Sequence, residues 1–303
     1  MNGKEIKGLV TDIKHFAVHD GQGIRTTVFL KGCPLSCRWC HNPESIGSLP
    51  QLGYYRESCI GCGVCVTVCP EIAHRIVDGM HIFDREKCTH CGICTEVCSA
   101  NALHLYGREM SVADVLDIVQ ADSVFYEQSG GGMTLSGGEP TVQFDFAFTL
   151  LREAKMQGIH TALDTCGMAP KAKYEKLLPY VDQFLFDVKH ADSAMHKAGT
   201  GVGNELIFEN LQFLSQNGAA IEIRIPLIPG YNDSKETLDA IGRLLSKIRC
   251  TGVRVLQYHD YAAGKYAALD MENTMPQPDV PDAFHIQECC AHLAAFGLPV
   301  IKE

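Results

Sequence analysis

Apolar residues recur along this chain with two different spacings. Short apolar runs predict strands, two at residues 5–18 and 24–31 and five more at 132–136, 159–164, 182–188, 219–226 and 252–257. Between the later runs, apolar residues at helical spacing predict helices at 143–157, 170–179, 203–217 and 234–248. From residue 24 onward, six strands alternate with helices, which predicts a parallel sheet of the α/β class. Periodicity alone does not distinguish a six-unit open barrel from a doubly wound sheet.

Local signals predict three further elements. Ser111 is suited to cap an amphipathic helix that continues to about Glu127. Towards the end of the chain we expect a last helix at 282–296 and a short extra strand at 298–301. The segment 75–83 carries Asp78-Gly79 at its centre, which is typical of a β-hairpin.

The stretch from about Tyr54 to Leu105 lacks such periodicity and is rich in cysteine. The spacing C-x2-C-x2-C-x3-C occurs twice in it, and bacterial two-cluster ferredoxins share this spacing, each run giving three ligands to one cluster and its fourth cysteine to the other. We therefore expect one [4Fe–4S] cluster on Cys59, Cys62, Cys65 and Cys98, and a second on Cys88, Cys91, Cys94 and Cys69. Residues 53–105 are predicted to form an insert in a main domain of residues 1–52 and 106–303. A zinc ribbon is the weaker alternative.

A third group of cysteines lies on a short loop directly after the predicted strand 24–31. Cys33, Cys37 and Cys40 have the spacing C-x3-C-x2-C. Three thiolates on one loop suit three irons of a cubane cluster, and the fourth iron then stays open to a small molecule. The alternatives are a zinc site, which usually has two distant C-x2-C halves, or a pair of disulfides.

Composition and charge narrow the classes of protein that fit. The chain has 303 residues, 46% of them hydrophobic, which is enough for one α/β barrel or two smaller domains. The formal net charge is −10 and no basic run is interleaved with aromatic residues, so we expect no nucleic acid as a partner. The chain lacks an 18-residue apolar run and an apolar signal segment, so we expect a cytoplasmic protein without a membrane partner.

The expected reducing compartment decides how the 15 cysteines are interpreted. Cysteines there are metal ligands more often than disulfides. Four of them have no ligand spacing and are expected to be ordinary thiols, namely Cys166, Cys250, Cys289 and Cys290.

The three-cysteine loop, with Trp39 before its last cysteine, resembles the radical S-adenosylmethionine (SAM) superfamily. The string from His19 to Thr26, followed by Phe29 and Gly32-Cys33, is similar to the signature of glycyl-radical-enzyme activating enzymes. The family commonly has proline where this chain has Gln22, which we expect to change the stiffness of the loop and not the chemistry. The resemblance covers essentially the whole chain. It implies a partial (β/α)6 radical SAM barrel with an inserted bacterial ferredoxin-like domain.

The resemblance also implies which residues contact SAM, most of them at the carboxyl ends of predicted strands. Gly137, Gly138 and Glu139 match the segment that meets the amino group of SAM in the family. Lys189 matches a lysine that reaches the carboxylate or ribose, His259 a histidine that contacts SAM, and Trp39 an aromatic residue near the adenine. Asp164 and Asp187 are implied to lie near SAM and a monovalent cation.

Each of these residues also has a plainer interpretation. The glycines and Asp164 fit ordinary strand-end turns, and Asp187 with Lys189 fits a buried ion pair. A structural role suits His259 and Trp39 equally well. Arg224, on the fifth strand, is suited either to bind a carboxylate or to brace the sheet against Glu222.

The implied activity is reductive cleavage of SAM to a 5′-deoxyadenosyl radical, which abstracts a Cα hydrogen from a glycine of a partner glycyl radical enzyme. The implied cofactors are three [4Fe–4S] clusters, and the insert clusters are expected to relay or store electrons from reduced ferredoxin or flavodoxin.

We expect the protein to be a monomer. Two rival hypotheses are a radical SAM enzyme that acts on another peptide or small molecule, and a multi-cluster electron-transfer protein. The sequence does not identify the partner enzyme.

Overall fold

The computed structural model describes residues 5–276 and 283–301. Within these residues the strands are, in chain order, β1 (Lys7–Ala17), β2 (Arg25–Leu30), β3 (Gln51–Tyr54), β4 (His74–Val77), β5 (Met80–Phe83), β6 (Leu103–Tyr106), β7 (Arg108–Ser111), β8 (Gly132–Gly137), β9 (His160–Thr165), β10 (Gln183–Asp187), β11 (Ile221–Leu227) and β12 (Gly252–Gln257). The helices are α1 (Val64–Val68), α2 (Ile93–Glu96), α3 (Val112–Gln120), α4 (Ser123–Ser129), α5 (Phe144–Met156), α6 (Lys171–Leu177), α7 (Ser193–Thr200), α8 (Glu205–Gln216), α9 (Lys235–Leu245), α10 (Ala263–Leu269) and α11 (Ala283–Ala294). No helix among the described residues is long and apolar enough to cross a membrane.

One large sheet organises the main domain, with the strand order β12-β11-β10-β9-β8-β2-β1-β7. From β2 to β12 neighbouring strands pair in parallel, which confirms the six predicted parallel strands. Their order follows the chain without a reversal, and right-handed crossovers then place the helices on one face, as in an open barrel and not a doubly wound sheet. β1 and β7 extend the sheet in antiparallel pairing.

The main core lies between this sheet and its covering helices. The parallel strands are buried on both faces, so their side chains form nearly continuous apolar runs such as Phe184-Leu185-Phe186, in which no side chain is exposed. Helix α5 packs Leu150 and Leu151 against the sheet, and each such fully buried side chain stabilises the fold by roughly 1.5–3 kcal/mol.

The predicted helix from Ser111 to Glu127 is wrong in its second half. Ser111 does form a capping box with Asp114, but the helix ends at Gln120 and a separate helix begins at Ser123. Between them the carboxylate of Asp122 is buried, where it accepts a hydrogen bond of 2.5 Å from Thr26 and contacts His15 at 2.5 Å. These long-range contacts pull the chain away from the helix axis.

The end of the chain also differs from the expectation. The predicted strand 298–301 is a single bridge in which Val300 pairs with Val253. The last helix starts at Ala283, and residue 282 lies outside the described residues. Helices α7 and α10 had no predicted counterpart.

Residues 51–106 build a smaller unit with its own core. Strand β3 pairs with β6, and β4 pairs with β5 in the predicted hairpin around Asp78-Gly79, where both residues have positive φ. Leu52, Tyr54 and Leu103 are buried against the cysteines of this unit. Its domain boundary at 53–105 stays a prediction. Contacts with the main domain include a hydrogen bond from Arg85 to the carbonyl oxygen of Ala268.

Candidate active site at the carboxyl ends of the strands

A wide cavity opens where the parallel strands end. Its walls include the three-cysteine loop and the ends of strands β8 to β12. Of the predicted site residues, the structure brings these together around it: Cys33, Cys37, Cys40, Trp39, Gly137, Gly138, Asp164, Asp187, Lys189, Arg224 and His259.

The three-cysteine loop is fixed by backbone hydrogen bonds to α7. The amide of Ser36 donates to the carbonyl of Thr200 at 2.9 Å, and the amide of Arg38 donates to Gly199 at 3.0 Å. Burial raises the pKa of the Cys37 thiol to about 11 and that of Cys40 to about 12. Thiolates on this buried loop therefore require a compensating positive charge. Three soft sulfur donors on one cavity wall suit an iron–sulfur cluster.

The two glycines after β8 let the strand end lie directly against the cysteine loop. A Cβ on Gly137, whose φ is +119°, would lie 2.2 Å from the backbone nitrogen of Leu30. A Cβ on Gly138 would lie 2.3 Å from the carbonyl oxygen of Gly32. Side chains are thus excluded here, and bare backbone faces the cavity.

Glu139 differs from the expectation, because its side chain is fully buried and does not line the cavity. One carboxylate oxygen accepts from the Thr141 hydroxyl at 2.7 Å, and the other accepts from the Thr165 hydroxyl and the Cys166 amide, each at 2.8 Å. Both oxygens thus have partners within the protein, and a contact of this side chain with SAM stays a prediction. Glu139 positions the ends of β8 and β9 relative to each other.

Acidic and basic side chains alternate along the floor of the cavity. Asp164 accepts a 2.7 Å hydrogen bond from Ser136 and lies 3.9 Å from Arg224. Its pKa is raised to about 6, because burial disfavours the carboxylate and outweighs the opposing effect of Arg224, while Asp187 adds to the rise. Burial alone would lower the pKa of Lys189, but the carboxylate of Asp187, 2.5 Å away, keeps it above its usual range.

Arg224 satisfies both interpretations of its role. It lies 3.6 Å from Glu222, which also binds Arg254, and it donates to the carbonyl of His19 at 2.7 Å. Its guanidinium nonetheless lines the cavity, and its Nε is buried without a hydrogen-bond partner. That Nε is the atom that faces the Glu222 carboxylate, so the guanidinium braces the sheet while it borders the cavity.

An aromatic wall closes one side. His41 stacks on His259 with ring centroids 3.9 Å apart and donates from Nε2 to the His259 carbonyl at 2.8 Å. Burial lowers the pKa of His41 to about 4, so this ring is neutral at physiological pH. The Nδ1 of His259 is buried and has no hydrogen-bond partner. Trp39 packs against Tyr231 with ring centroids 4.6 Å apart.

The His19–Thr26 string borders the same cavity, and hydrogen bonds from Arg25 hold it against β8. Arg25 is fully buried, donating to the Thr134 hydroxyl and the Met133 carbonyl at 2.6 Å each. Asp20 accepts from Thr27 at 2.8 Å and lines the cavity. Apart from the cavity-lining His19 and Asp20, these signature residues fix the turn.

Cys166, which has no ligand spacing and is expected to be an ordinary thiol, lies at the site itself. It is buried, lines the cavity, and lies within hydrogen-bonding reach of the Cys33 thiol. The only sequence signal was its place directly after Asp164-Thr165 at the end of β9.

Two small cavities lie inside the insert, each beside one predicted set of ligands. The first is lined by Cys59, Cys62, Cys65 and Cys98, and the second by Cys88, Cys91, Cys94 and Cys69. This grouping is the 3+1 exchange expected from the sequence. Four sulfur donors around one cavity fit a closed cubane cluster in each case.

Comparisons with known proteins agree with this architecture. A profile described as Radical SAM superfamily matches residues 85–241, starting beyond the three-cysteine loop, and a profile described as 4Fe-4S dicluster domain matches residues 52–99. The chain is 42% identical over 289 residues to (2S)-3-sulfopropanediol sulfolyase activating enzyme of Bilophila wadsworthia, covering 94% of this chain and 96% of that protein.

It is also 41% identical over 308 residues to choline trimethylamine-lyase activating enzyme of Oleidesulfovibrio alaskensis, with 99% of each protein covered. The crystal structure of a radical SAM methyltransferase from Sphaerobacter thermophilus matches with a TM-score of 0.54. It covers 97% of this chain and 76% of that one, and at 14% identity it shows a shared fold alone.

Proposed function

Because this chain belongs to the glycyl-radical-enzyme activating enzymes of the radical SAM superfamily, we propose that the wide cavity is where it binds and cleaves SAM. Its fold is the radical SAM α/β barrel with a ferredoxin-like insert. Its activity is reductive cleavage of SAM to a 5′-deoxyadenosyl radical and abstraction of a glycine Cα hydrogen from a glycyl radical enzyme. The observation that carries the proposal is that eight of nine predicted SAM contacts, and all three loop cysteines, line one cavity.

Cys33, Cys37 and Cys40 would hold a [4Fe–4S] cluster, and the two four-cysteine sets of the insert would hold two more. When bound at the loop, such a cluster supplies one electron to the sulfonium of SAM and offers an open coordination position. The chain's own residues have three other tasks, which are to bind SAM, to orient it and to keep water out.

We assign the SAM contacts from the charge of each side chain and from whether its polar atoms already have hydrogen-bond partners in the protein. Lys189 and Arg224 are cations on the cavity wall and suit the carboxylate of SAM. The bare backbone at Gly137 and Gly138 suits the amino group. His259 Nδ1, buried and unpaired, suits a ribose or adenine atom, and Trp39 suits the adenine face.

Asp164 and Asp187 together favour a monovalent cation. Burial raises the pKa of Asp164 and the nearby Asp187 carboxylate adds to the rise, so a bound K⁺ or Na⁺ would stabilise the ionised Asp164. We expect SAM to bind more tightly in KCl or NaCl than in tetramethylammonium chloride at equal ionic strength. An equal affinity in all three salts would contradict a cation at this position.

The identity of the partner is a separate question, because the two relatives named above differ in partner at 42% and 41% identity. We propose reduced ferredoxin or flavodoxin as the electron donor, a monomer as the working state, and the cytoplasm as the location. The last is supported by the eleven cysteines with metal-ligand spacing, which are typical of a reducing compartment. A glycyl radical EPR signal, recorded after mixing with candidate glycyl radical enzymes, identifies the partner.

The central test is anaerobic SAM cleavage. The chain is reconstituted with iron and sulfide to about twelve irons, the content of three cubanes, then reduced with dithionite and assayed for 5′-deoxyadenosine. We expect product from the wild type and none from the triple variant Cys33→Ala, Cys37→Ala, Cys40→Ala. Cys250→Ala is the matched control, since Cys250 is a half-buried thiol packed against the main core. Absence of product from a wild-type preparation with about twelve irons would overturn the proposal.

A further inference from the structure

The insert is an internal duplication whose two halves carry different residues beside the two cysteine sets. Each cysteine of the second run follows its counterpart by 29 residues, as Cys88 follows Cys59 (88 − 59). The strand pairing repeats with the same offset, because Tyr54 faces Leu103 in one hairpin and Phe83 faces His74 in the other. The duplication therefore provides an internal comparison for every residue near the two cysteine sets.

His81 and His74 break this symmetry. By the 29-residue offset, His81 corresponds to Leu52, and His74 corresponds to Leu103. His81 lines the first insert cavity, whereas Leu52 lines the second. At this position the first cysteine set has a polar ring where the second has an aliphatic side chain. At the other position the second cavity has His74 where the first has Leu103.

The imidazole of His81 contacts one of the predicted cluster ligands. Its Nε2 lies 3.4 Å from the Sγ of Cys65 and 3.0 Å from the Nδ1 of His74. The matching cysteine of the second set is Cys94, which packs in the same apolar cluster as Leu52. Leu52 has no hydrogen to donate to a sulfur atom.

The position of the proton on His81 follows from its other nitrogen. The Nδ1 of His81 is buried and has no hydrogen-bond partner. A proton on Nδ1 would leave a buried donor unsatisfied, which is costly, so the proton belongs on Nε2. There it points to the sulfur of Cys65 and to the unprotonated Nδ1 of His74. A cluster-bound cysteine carries no proton of its own, so it can only accept.

We propose that His81 donates a hydrogen bond to Cys65 and thereby raises the reduction potential of the first cluster of the insert. The inference rests on the proposed assignment of two clusters to the insert. Hydrogen bonds to cluster sulfurs stabilise the more negative, reduced state and so raise the reduction potential. His74, which touches both His81 and the second cavity, lies between the two sites.

The same three side chains permit one other interpretation. The donor atoms of Cys65, His74 and His81 lie within 4.8 Å of one another, close enough to hold a single metal ion. Such an ion would take Cys65 away from the first cluster, so the two interpretations exclude each other. Iron and zinc contents distinguish them.

The test uses the full chain carrying the triple substitution of Cys33, Cys37 and Cys40 by alanine, so that only insert clusters remain. Its iron content is brought to about eight per chain, and an EPR-monitored redox titration at one fixed pH follows both clusters. We expect His81→Leu to lower one midpoint and leave the other unchanged. A charge-assisted hydrogen bond corresponds to about a tenfold change in the reduction equilibrium, which is about 59 mV for one electron.

Two further variants of the same chain sharpen the result. Leu52→His should raise the midpoint that His81→Leu leaves unchanged, because it creates the missing donor beside Cys94. His104→Leu is the matched control, since His104 is exposed on β6 and contacts Tyr55 and Tyr106. Unchanged midpoints in both His81→Leu and Leu52→His, at about eight irons, would overturn the inference and leave the cluster assignment intact. A chain that binds no iron in the insert, or one zinc lost in His81→Leu, would overturn the assignment itself.

Discussion

The Nζ of Lys189 lies 2.5 Å from the carboxylate of Asp187, and this ion pair faces the cavity just beyond the end of β10. The side chain of Lys189 is 9% exposed, so the ion pair keeps a cation in a place where water does not stabilise it. A buried pair of this kind adds little net stability compared with apolar residues. Its value is a fixed positive charge that an anionic ligand can use.

Lys189→Gln should therefore weaken SAM binding at least tenfold. A hydrogen bond to a charged group contributes about 1.5–3 kcal/mol, and the substitution also leaves Asp187 unpaired. Anaerobic titration calorimetry of the reconstituted chain with SAM measures this loss. Lys197→Gln, at an exposed lysine on α7, is the control and should leave the affinity unchanged. Equal affinities of the two variants would show that the Asp187–Lys189 pair is only structural.

Asp164 should make the stability of the metal-free chain depend on pH. Its folded-state pKa of about 6 is higher than its ordinary value of 3.8, so the folded state binds the proton more tightly than the unfolded state. The contribution of this carboxyl to stability is fully present below about pH 3.8 and is lost as the pH rises through about 6.

Asp164→Asn, which cannot ionise, should consequently raise the free energy of unfolding at pH 7.5, by an amount on the order of 1–2 kcal/mol. The gain should shrink at pH 5. Urea denaturation of both proteins at the two pH values measures this difference. A gain that is the same at both pH values would contradict the raised pKa.

The parallel strands were predictable because each is a short apolar run, and their alternation with helices determines the class of sheet. β7 was not predictable, since Arg108–Ser111 has no apolar run and becomes a strand only because β1 offers an unpaired edge. The break between α3 and α4 depends on Asp122 meeting His15 and Thr26. Such contacts join residues about a hundred positions apart, and local periodicity does not contain them.

The site was predictable to the extent that its residues belong to a recognisable string. The cysteine spacings and the Gly-Gly-Glu segment point to one chemistry, and the strand-end rule places the other side chains at one edge of the sheet. The proximity of Cys166 to Cys33, and the hydrogen bonds from Thr165 and Cys166 to one Glu139 oxygen, depend on how closely two strand ends approach. The distance between the two strand ends is set by how the strands pack in the folded chain, which a local sequence pattern does not contain.

Cys166 tests which thiols bind the loop cluster. Because the three loop cysteines leave one iron open, Cys166→Ala should retain about twelve irons and the formation of 5′-deoxyadenosine. Cys33→Ala should lose about four irons and all product. Iron analysis and product assay on both variants separate the roles. Loss of the same four irons in Cys166→Ala would make Cys166 a ligand and leave the open coordination position without support.

Gly138 should tolerate no side chain. A Cβ there would lie 2.3 Å from the carbonyl oxygen of Gly32 and 2.6 Å from that of Ser45, and neither backbone atom belongs to a flexible side chain that could move away. Gly138→Ala must therefore displace the loop that carries Cys33, and we expect it to lower the free energy of unfolding by about 3 kcal/mol or more.

Gly264→Ala is the matched control, because Gly264 lies in α10 with no atom within 4 Å of the new methyl group. Alanine is the better helix former, so that control should stabilise the chain by up to about 1 kcal/mol. Urea denaturation of the two variants measures both effects, and a Gly138→Ala protein as stable as the wild type would show that the strand end and the cysteine loop are not in the tight contact described.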